Sequence, residues 1–539
     1  MKGGEVVTLQ LGQYGNQVGF EIFNTMAHEL FATSAPSSSW LSFFRYDTRN
    51  RPTARCVLVD MEPKVINQSI SLAESSKLWV YDASQSFSKQ SGSGNNWANG
   101  YLHHGPSIRD RFLSMVRREA EQCDRLSTFL LLQSLAGGTG SGVGTYLTEV
   151  LRDEYPNAIL ANQVAWPYGT GDVVVQTYNA AFTLAHLNQT SDAILTHQND
   201  HLNSICTRLL HISQPSFTHL NKVIAGLTAG VALPASVLCG GCPPTSSPAP
   251  SPFGMSTMGP GGYPPAPVCS AVADYLCTVP RSSLVTGLPA AGAIGGGASV
   301  SRQVTSVGGI TICVPVRLPS PRPPTPSALA AASSSVAPPA LALSPVTALA
   351  DSLGHLCGHP GFRLLTTRSV PQVPDRSVDY TADSWPALLR PLHSMLAGDL
   401  ATEDRIRAGT ADLSNPGRVC RCLSAALFLR GQQYQAVDGA AFQGALQPFG
   451  DPRLYAPWAL DPLRIYLSPA RFRRLETFAA VVANSQSVVG PLEHVLGRAQ
   501  GMYAARAFLH HYARYGVEED HFRECFAELE QVLANYRSL

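Results

Sequence analysis

The sequence lacks a surplus of either charge. Its 39 lysines and arginines face 38 aspartates and glutamates, so no electrostatic argument makes nucleic acid its main partner. It also lacks any apolar run of the roughly 18 to 20 residues that a membrane span requires. The opening MKGGEVVTLQLGQ passes directly into an alternating strand pattern without the apolar centre of a secretory leader, which leads us to expect a soluble protein of the cytoplasm with no membrane insertion. Cysteines are present, 12 of them, but no framework is. Cys56, Cys123 and Cys206 fall in apolar or helical patterns and read as small core residues of a reducing compartment. The close pair Cys239 and Cys242, in CGGC, has no second pair or histidine set at ligand spacing, which favours chance in a small-residue stretch over half a zinc site or a redox pair.

What is present is enough apolar sequence for more than one core, 45% of 539 residues, arranged in two regimes. As far as residue 205, strand and helix patterns alternate, the signature of a doubly wound, mostly parallel sheet. EVVTLQL and RCVLVD read as buried strands. Val18, Ile22, Phe23 and Met26 form one helical stripe, and Ile108, Phe112, Met115 and Val116 another. Between about 234 and 347 the composition shifts to Pro, Ala, Gly and Ser, which buries too little apolar area to offset ordering entropy, so this insert is expected to be mostly disordered, with GGITICVPVRL as a stray strand. Alternation then resumes through DSLGHLCGHPGFRLLTTRSV, CLSAALFLRG and RLETFAAVVANSQ. Two helical patterns end the chain and read as a hairpin whose outer side offers a partner surface. The expected domains are therefore residues 1–205, an α/β intermediate domain over 206–489 interrupted by the insert, and a helical hairpin over 490–539.

SLAGGTGSGVG, Ser134 to Gly144, packs five glycines and three hydroxyl side chains between the apolar run TFLLLQ and a helical pattern of Val143, Leu147, Val150 and Leu151. Strand, glycine loop and helix in that order bring several amide groups and a helix N-terminus to one point, an arrangement suited to phosphate. No lysine follows the glycines, so this is not a P-loop; starting at Gly138, the sixth position is Val143, so the dinucleotide fingerprint fails as well. That failure sets aside a metabolic dinucleotide enzyme.

Three further strand ends carry matching chemistry. LGQYGNQVG offers Gly12 and Gly15 for a tight turn and the amides of Gln13, Asn16 and Gln17. LVDMEP ends with Asp60 and Glu62, a hard oxygen pair suited to hydrated Mg²⁺. QSGSGNNWANG is a second glycine and amide loop. In this order GQYGNQ, VDMEP, GSGNNWANG and GGTGSGVG resemble the successive nucleotide loops of the tubulin family. The resemblance extends over nearly the whole chain outside the insert, to MYAARAFLHHYARYGVEEDHF. Within the family, ARCVLVDMEPKVINQ, KQSGSGNNWA, AWPYGTGDVVVQTYN and VVANSQSVV are most similar to the delta class, the form associated with centrioles and basal bodies.

That resemblance implies GTP or GDP as ligand, with Mg²⁺. It implies that Gln13 and Tyr14 line the phosphates and Gln17 the base side, that Glu62 with Asp60 holds the metal, and that Asn95 meets the nucleotide from the third loop. Ser134, Gly138, Thr139 and Gly140 would donate to phosphate, Ala136 standing where many members have glycine. Asp172 falls at the ribose loop, where Gln176 replaces a common carboxylate. Asn199 and Asn221 match base-reading asparagines, and Phe217 would stack on the base. In the family, hydrolysis is completed by an acidic loop of the next subunit along a filament, and Asp351 falls at that position; an aspartate there can equally cap a helix following the insert. The implied role is that of a cytoskeletal subunit at the centriole or basal body, in triplet microtubule formation, with other tubulin-family subunits or centriolar proteins as partners. The alternative is a GTP-bound assembly factor or adaptor that never polymerises.

Overall fold

The first seven residues that enter the core, Glu5–Leu11, form strand β1 and are buried along their whole length. Both faces of β1 are covered, which is why its sequence reads as a nearly continuous apolar run instead of an alternation. The computed structural model describes residues 4–32, 40–169, 171, 173–237, 304–307, 310–313, 345–346, 348–380, 384–398, 420–431 and 440–539. They fall into two units, residues 1–258 with 343–539, and residues 259–342.

The larger unit is built on one twelve-stranded sheet. Its strands in chain order are β1, β2 (Cys56–Asp60), β3 (Ser86–Ser88), β4 (Leu126–Ser134), β5 (Ile159–Trp166) and β6 (Ala193–Gln198), followed by β7 (Ala235–Val237), β8 (Pro345–Val346), β9 (Leu364–Val370), β10 (Cys422–Gly431), β11 (Leu463–Ser468) and β12 (Thr477–Ser485). Across the sheet the order is β3-β2-β1-β4-β5-β6-β9-β12-β10-β11-β7-β8. The first seven of these are mutually parallel, with Leu9 opposite Val57 on one side and Leu131 on the other. β12 runs antiparallel to both of its neighbours, β9 and β10. The expected doubly wound, mostly parallel architecture is present, and its first six strands follow the 3-2-1-4-5-6 order whose chain reversal marks a nucleotide crevice.

Successive residues of β1 serve opposite faces. Val6 packs with Val18, Ile22, Phe23 and Met26 of helix α1 (Gly12–Ala32), the helical stripe read from the sequence. Val7 and Leu9 pack instead with Ile108, Phe112 and Met115 of a helix on the other face. The remaining helices used below are α2 (Pro63–Ser76), α3 (Gly105–Ala120), α4 (Gly144–Glu154), α5 (Gln176–Thr190), α6 (Phe217–Ala232), α7 (Ala348–Leu356), α8 (Trp385–Ala397), α9 (Val489–Ala504) and α10 (Glu519–Arg537). Pro63 opens α2 in the first turn, where a missing N–H costs nothing, and Lys77 closes it in a left-handed conformation.

The flanks of the insert, expected at about 234 and about 347, are tied to the main sheet: Ala235 pairs with Val346 and Ser236 with Pro345. Most of the residues between them, Cys239 and Cys242 included, lie outside the described residues, and so does the expected disorder. Within the smaller unit the described residues form a ribbon in which Val304–Val307 pairs antiparallel with Ile310–Cys313, the strand read in GGITICVPVRL. At the C-terminus, the long pattern LEHVLGRAQGMYAARAFLHHYARYG is not one helix. It breaks after Ala504, passes through left-handed Arg506 and Phe508, and resumes as the short helix His510–Ala513. α9 and α10 then lie on α5, where Phe522 meets the rings of Tyr178 and Phe182 edge-on at 5.1 and 4.8 Å. Among the described residues no helix is long and apolar enough to cross a membrane.

Candidate nucleotide site

The chain leaves β1 to one side of the sheet and returns in β4 on the other, so the loops after these two strands face each other across the reversal point. α1 starts at Gly12 with no intervening loop, and Gly12 adopts φ +72°, a conformation that a side chain strains. A Cβ at Gly12 would stand 2.9 Å from the Gly140 nitrogen, so the two loops touch backbone to backbone. The glycine loop after β4 coils into a wide helical turn, Thr139–Val143, that leads directly into α4. Gly142 N–H and Val143 N–H both donate to the Gly138 carbonyl, at 2.9 and 3.3 Å. The first amides of such a turn have no preceding carbonyl to bond, and the dipole of α4 adds positive potential there.

The third loop closes on the same turn. Ser93 Oγ and Thr139 Oγ1 share a hydrogen bond of 3.0 Å, and a Cβ at Gly138 would press on Ser93 while one at Gly142 would collide with the Trp97 carbonyl oxygen. Gly94 and Asn95 both take left-handed conformations, φ +63° and +52°, and turn this loop outward at an exposed rim. Glu62, exposed at the cap of α2, reaches to within 3.4 Å of where a Cβ on Gly92 would stand. Asp60, two residues earlier, is nearly buried, and its Oδ1 accepts the Met61 N–H at 2.8 Å. Burial pushes its carboxyl up to about 6, opposed by the Met61 and Glu62 amides and reinforced by the Glu62 charge. A carboxylate held in that state beside a second one fits a divalent cation, whose charge would favour the ionised form of both.

Of the residues expected at the phosphates, Ser134 lies beneath Gly140, and Gly138 and Thr139 stand in the turn against Ser93 of the third loop, which also carries Asn95; Glu62 reaches that loop at Gly92, Gln13 is exposed at the start of α1, and Asp60 ends the neighbouring strand β2. Tyr14 is placed differently from its neighbour Gln13. It packs against the core beside Gln163, with its hydroxyl buried and its ionisation pushed up by that burial. Asn16, read as a ligand amide, is fully buried and instead donates to the Gly12 and Val59 carbonyls at 2.9 and 3.2 Å, tying α1 to β2. Gly15 serves close packing and not a turn, since a Cβ there would collide with the Leu132 carbonyl.

A second group gathers where α1 packs on α6. Gln17 lies one turn beyond Gln13 on α1, and the next turn brings Glu21, whose charge feels Lys222 on α6. Asn221 is buried in α6, and Phe217, in its first turn, is 60% exposed, with its ring 6.2 Å from that of Tyr168. Asn199 begins the short helix after β6 that packs on α6. Asp172 lies outside the described residues. Asp351 is not brought to either group: it sits in the first turn of α7, beside β11 near the far end of the sheet, accepting from Tyr466 Oη at 2.7 Å and from Arg464 at 3.4 Å. Those contacts make it more than a helix cap.

Asn179 of α5 is the residue that sequence reasoning missed. Its Nδ2 donates to the Asn95 and Ala136 carbonyls, both at 2.8 Å, and its Oδ1 accepts from Trp97 N–H at 3.0 Å and Tyr512 Oη at 2.6 Å. All four hydrogen-bonding positions of the amide are used, and the side chain locks the third loop to the glycine loop. The signal available in TYN was an asparagine within a helical segment, which alone names no partner.

Comparison with known proteins agrees with this geometry. Residues 5–207 match the family model described as Tubulin/FtsZ family, GTPase domain. The whole chain is similar to the tubulin delta chain of Canis lupus familiaris, 31% identical over 558 residues that cover 99% of this chain and 100% of that one. It is likewise 32% identical to the tubulin delta chain of Mus musculus over 558 residues, 99% of each chain, and 31% identical to that of Homo sapiens over 99% of this chain and 100% of the relative.

Proposed function

The chain belongs to the tubulin family, and from that premise we propose that it binds GTP or GDP with Mg²⁺ in the crevice between β1 and β4 and acts as a tubulin-like subunit at centrioles or basal bodies. The observation that carries the reading is the backbone contact of Gly12 with Gly140 at the reversal point of the sheet, with Ser93, Asn95 and Glu62 on the same rim. In this reading Gln13, Ser134, Gly138, Thr139 and Gly140 hold the phosphates and Asn95 covers them. Glu62 and Asp60 hold the metal, which neutralises phosphate charge when bound. Gln17, Asn199 and Asn221 read the base, Phe217 covers it, and Asp172 takes the ribose. The delta-chain relatives support placing it with other tubulin-family subunits, and the delta-class resemblance of the sequence implies centriolar proteins as partners and a part in triplet microtubules.

The test is to identify the nucleotide released from the purified, denatured chain and to measure guanine nucleotide affinity of Thr139→Val and Asn221→Ala. Guanine nucleotide should be found, and each substitution should weaken binding at least about tenfold, the loss of one charge-assisted or buried hydrogen bond. Undiminished GTP retention in both variants overturns the reading.

A second reading rests on Asp351. Its carboxylate is engaged by Tyr466 and Arg464 of its own chain, which favours GTP as a structural ligand of a non-polymerising assembly factor over hydrolysis completed by Asp351 in a neighbour's site. GTP turnover that rises more steeply than in proportion to protein concentration, and loses that rise in Asp351→Asn, would decide for hydrolysis between subunits; flat turnover per chain decides for the assembly factor.

A further inference from the structure

Beside the third nucleotide loop, the junction of α5 and α10 brings together three side chains with metal-binding atoms. His186 lies on α5, and His521 and Cys525 lie four residues apart on one face of α10; their ligand atoms all fall within 4.8 Å of one another. Cys525 is buried, and its Sγ lies 3.7 Å from His521 Nε2. Two ligands of one tetrahedral zinc, at the usual Zn–N and Zn–S lengths, stand about 3.6 Å apart. The outer groups are also in place. Glu149 Oε1 lies 2.7 Å from His186 Nδ1, which directs Nε2 of that ring to the cluster, and Tyr101 Oη donates to Glu149 Oε2 at 2.6 Å and fixes the carboxylate. A carboxylate behind a ligating imidazole is the usual outer support of a zinc site. Trp97 stacks on His521 with centroids 5.4 Å apart and shields it from water.

We propose that His186, His521 and Cys525 form a three-ligand zinc site that fastens α10 to α5. Two imidazoles and a thiolate exclude magnesium and calcium, which take oxygen ligands, and a fourth position remains for water. On binding, zinc would take a lone pair of the Cys525 sulfur as the S–H bond breaks, and the proton would leave to solvent. The inference stands apart from the nucleotide reading, because none of these three side chains belongs to the phosphate or base groups.

The full-length protein, dialysed against metal-free buffer, should retain about one zinc per chain, and Cys525→Ala and His521→Gln should each retain less than a tenth of that. Cobalt exchanged into the wild type should give a sulfur-to-cobalt absorption band that Cys525→Ala lacks. Melting measured in zinc and in chelator separates loss of metal from loss of packing: zinc should raise the midpoint of the wild type by several degrees and leave that of Cys525→Ala where chelator leaves it. A wild type that holds no more zinc than Cys525→Ala, or shows no thiolate band with cobalt, overturns the proposal, and then His521 and Cys525 share only an S–H···N hydrogen bond.

Discussion

At the scale of the residue, the site depends on side chains and glycines that hold loops together more than on those that face the ligand. Asn179 is the clearest case, since its replacement by leucine orphans two loop carbonyls and the Trp97 amide at once and leaves the Tyr512 hydroxyl with the Val175 carbonyl alone. Asn179→Leu should cost about 3 kcal/mol or more of folding stability in urea titration, and should weaken nucleotide binding although the residue touches no nucleotide in our reading. The glycines divide in the same way. Gly142→Ala drives a methyl group into the Trp97 carbonyl and should cost about 1 to 3 kcal/mol, whereas Gly94→Ala meets nothing within 4 Å and should cost only about 1 kcal/mol for its left-handed backbone. The sequence made the glycine pattern plain, but not its purpose. From residues alone the bare backbone pointed to phosphate; much of it serves the mutual approach of two loops, a relation between distant segments that no local pattern encodes.

His197 adds a pH dependence at the same scale. Burial, with His201 nearby, holds its imidazole down at about 4, and its Nε2 has no hydrogen-bond partner. The folded state therefore refuses a proton that the unfolded chain accepts below about 6.5. Its contribution to stability is complete above that pH and is lost as pH falls towards 4, by up to about 3 kcal/mol. Denaturant midpoints measured across that range should fall with acid, and His197→Asn should flatten the fall.

At the scale of the element, ends carry more of the function than middles. β1, β4 and α1 were legible as elements because burial on two faces produces apolar runs and burial on one face produces a stripe of period 3.6. What escaped were short edge strands and breaks. β7 and β8 have three and two residues, too few to show a period, and the interruption after Ala504 depends on left-handed Arg506 and Phe508, residues with no special liking for that conformation. The far end of α6 shows how an element is fixed from outside. Arg430 of β10 donates to the Gly230 carbonyl at 2.7 Å and to the Pro234 carbonyl at 3.1 Å, and also bonds that of Leu233, closing the helix that carries Asn221 and Phe217. Arg430→Met should destabilise the protein by about 3 kcal/mol in thermal or urea unfolding, because it leaves those carbonyls buried without donors.

At the scale of the molecule, the twelve-stranded sheet separates two kinds of chemistry. The nucleotide loops open at β1 and β4, while Asp351 lies beside β11, with seven strands between β11 and β2 in the sheet order. An isolated chain therefore has no acidic residue of that helix near its own crevice, and any contribution from Asp351 to hydrolysis must be made to another molecule. The larger unit is also complete without the smaller one. Removing residues 259–342 shortens the connection between β7 and β8 from about a hundred residues to about twenty, which lowers the entropy of closing it by about 1 kcal/mol. The shortened protein should melt at or slightly above the temperature of the full chain and should bind guanine nucleotide equally well. A soluble, folded full chain beside an unfolded shortened one would contradict this.

The pairing of Ala235 with Val346 and of Ser236 with Pro345 has a consequence for how such a chain can diversify. The excursion departs and comes back through neighbouring positions on one margin of the sheet, like a bookmark ribbon sewn in at a single point of the spine. Its length and wording are free to drift between species, or to acquire a docking motif, while the pages on either side keep their alignment.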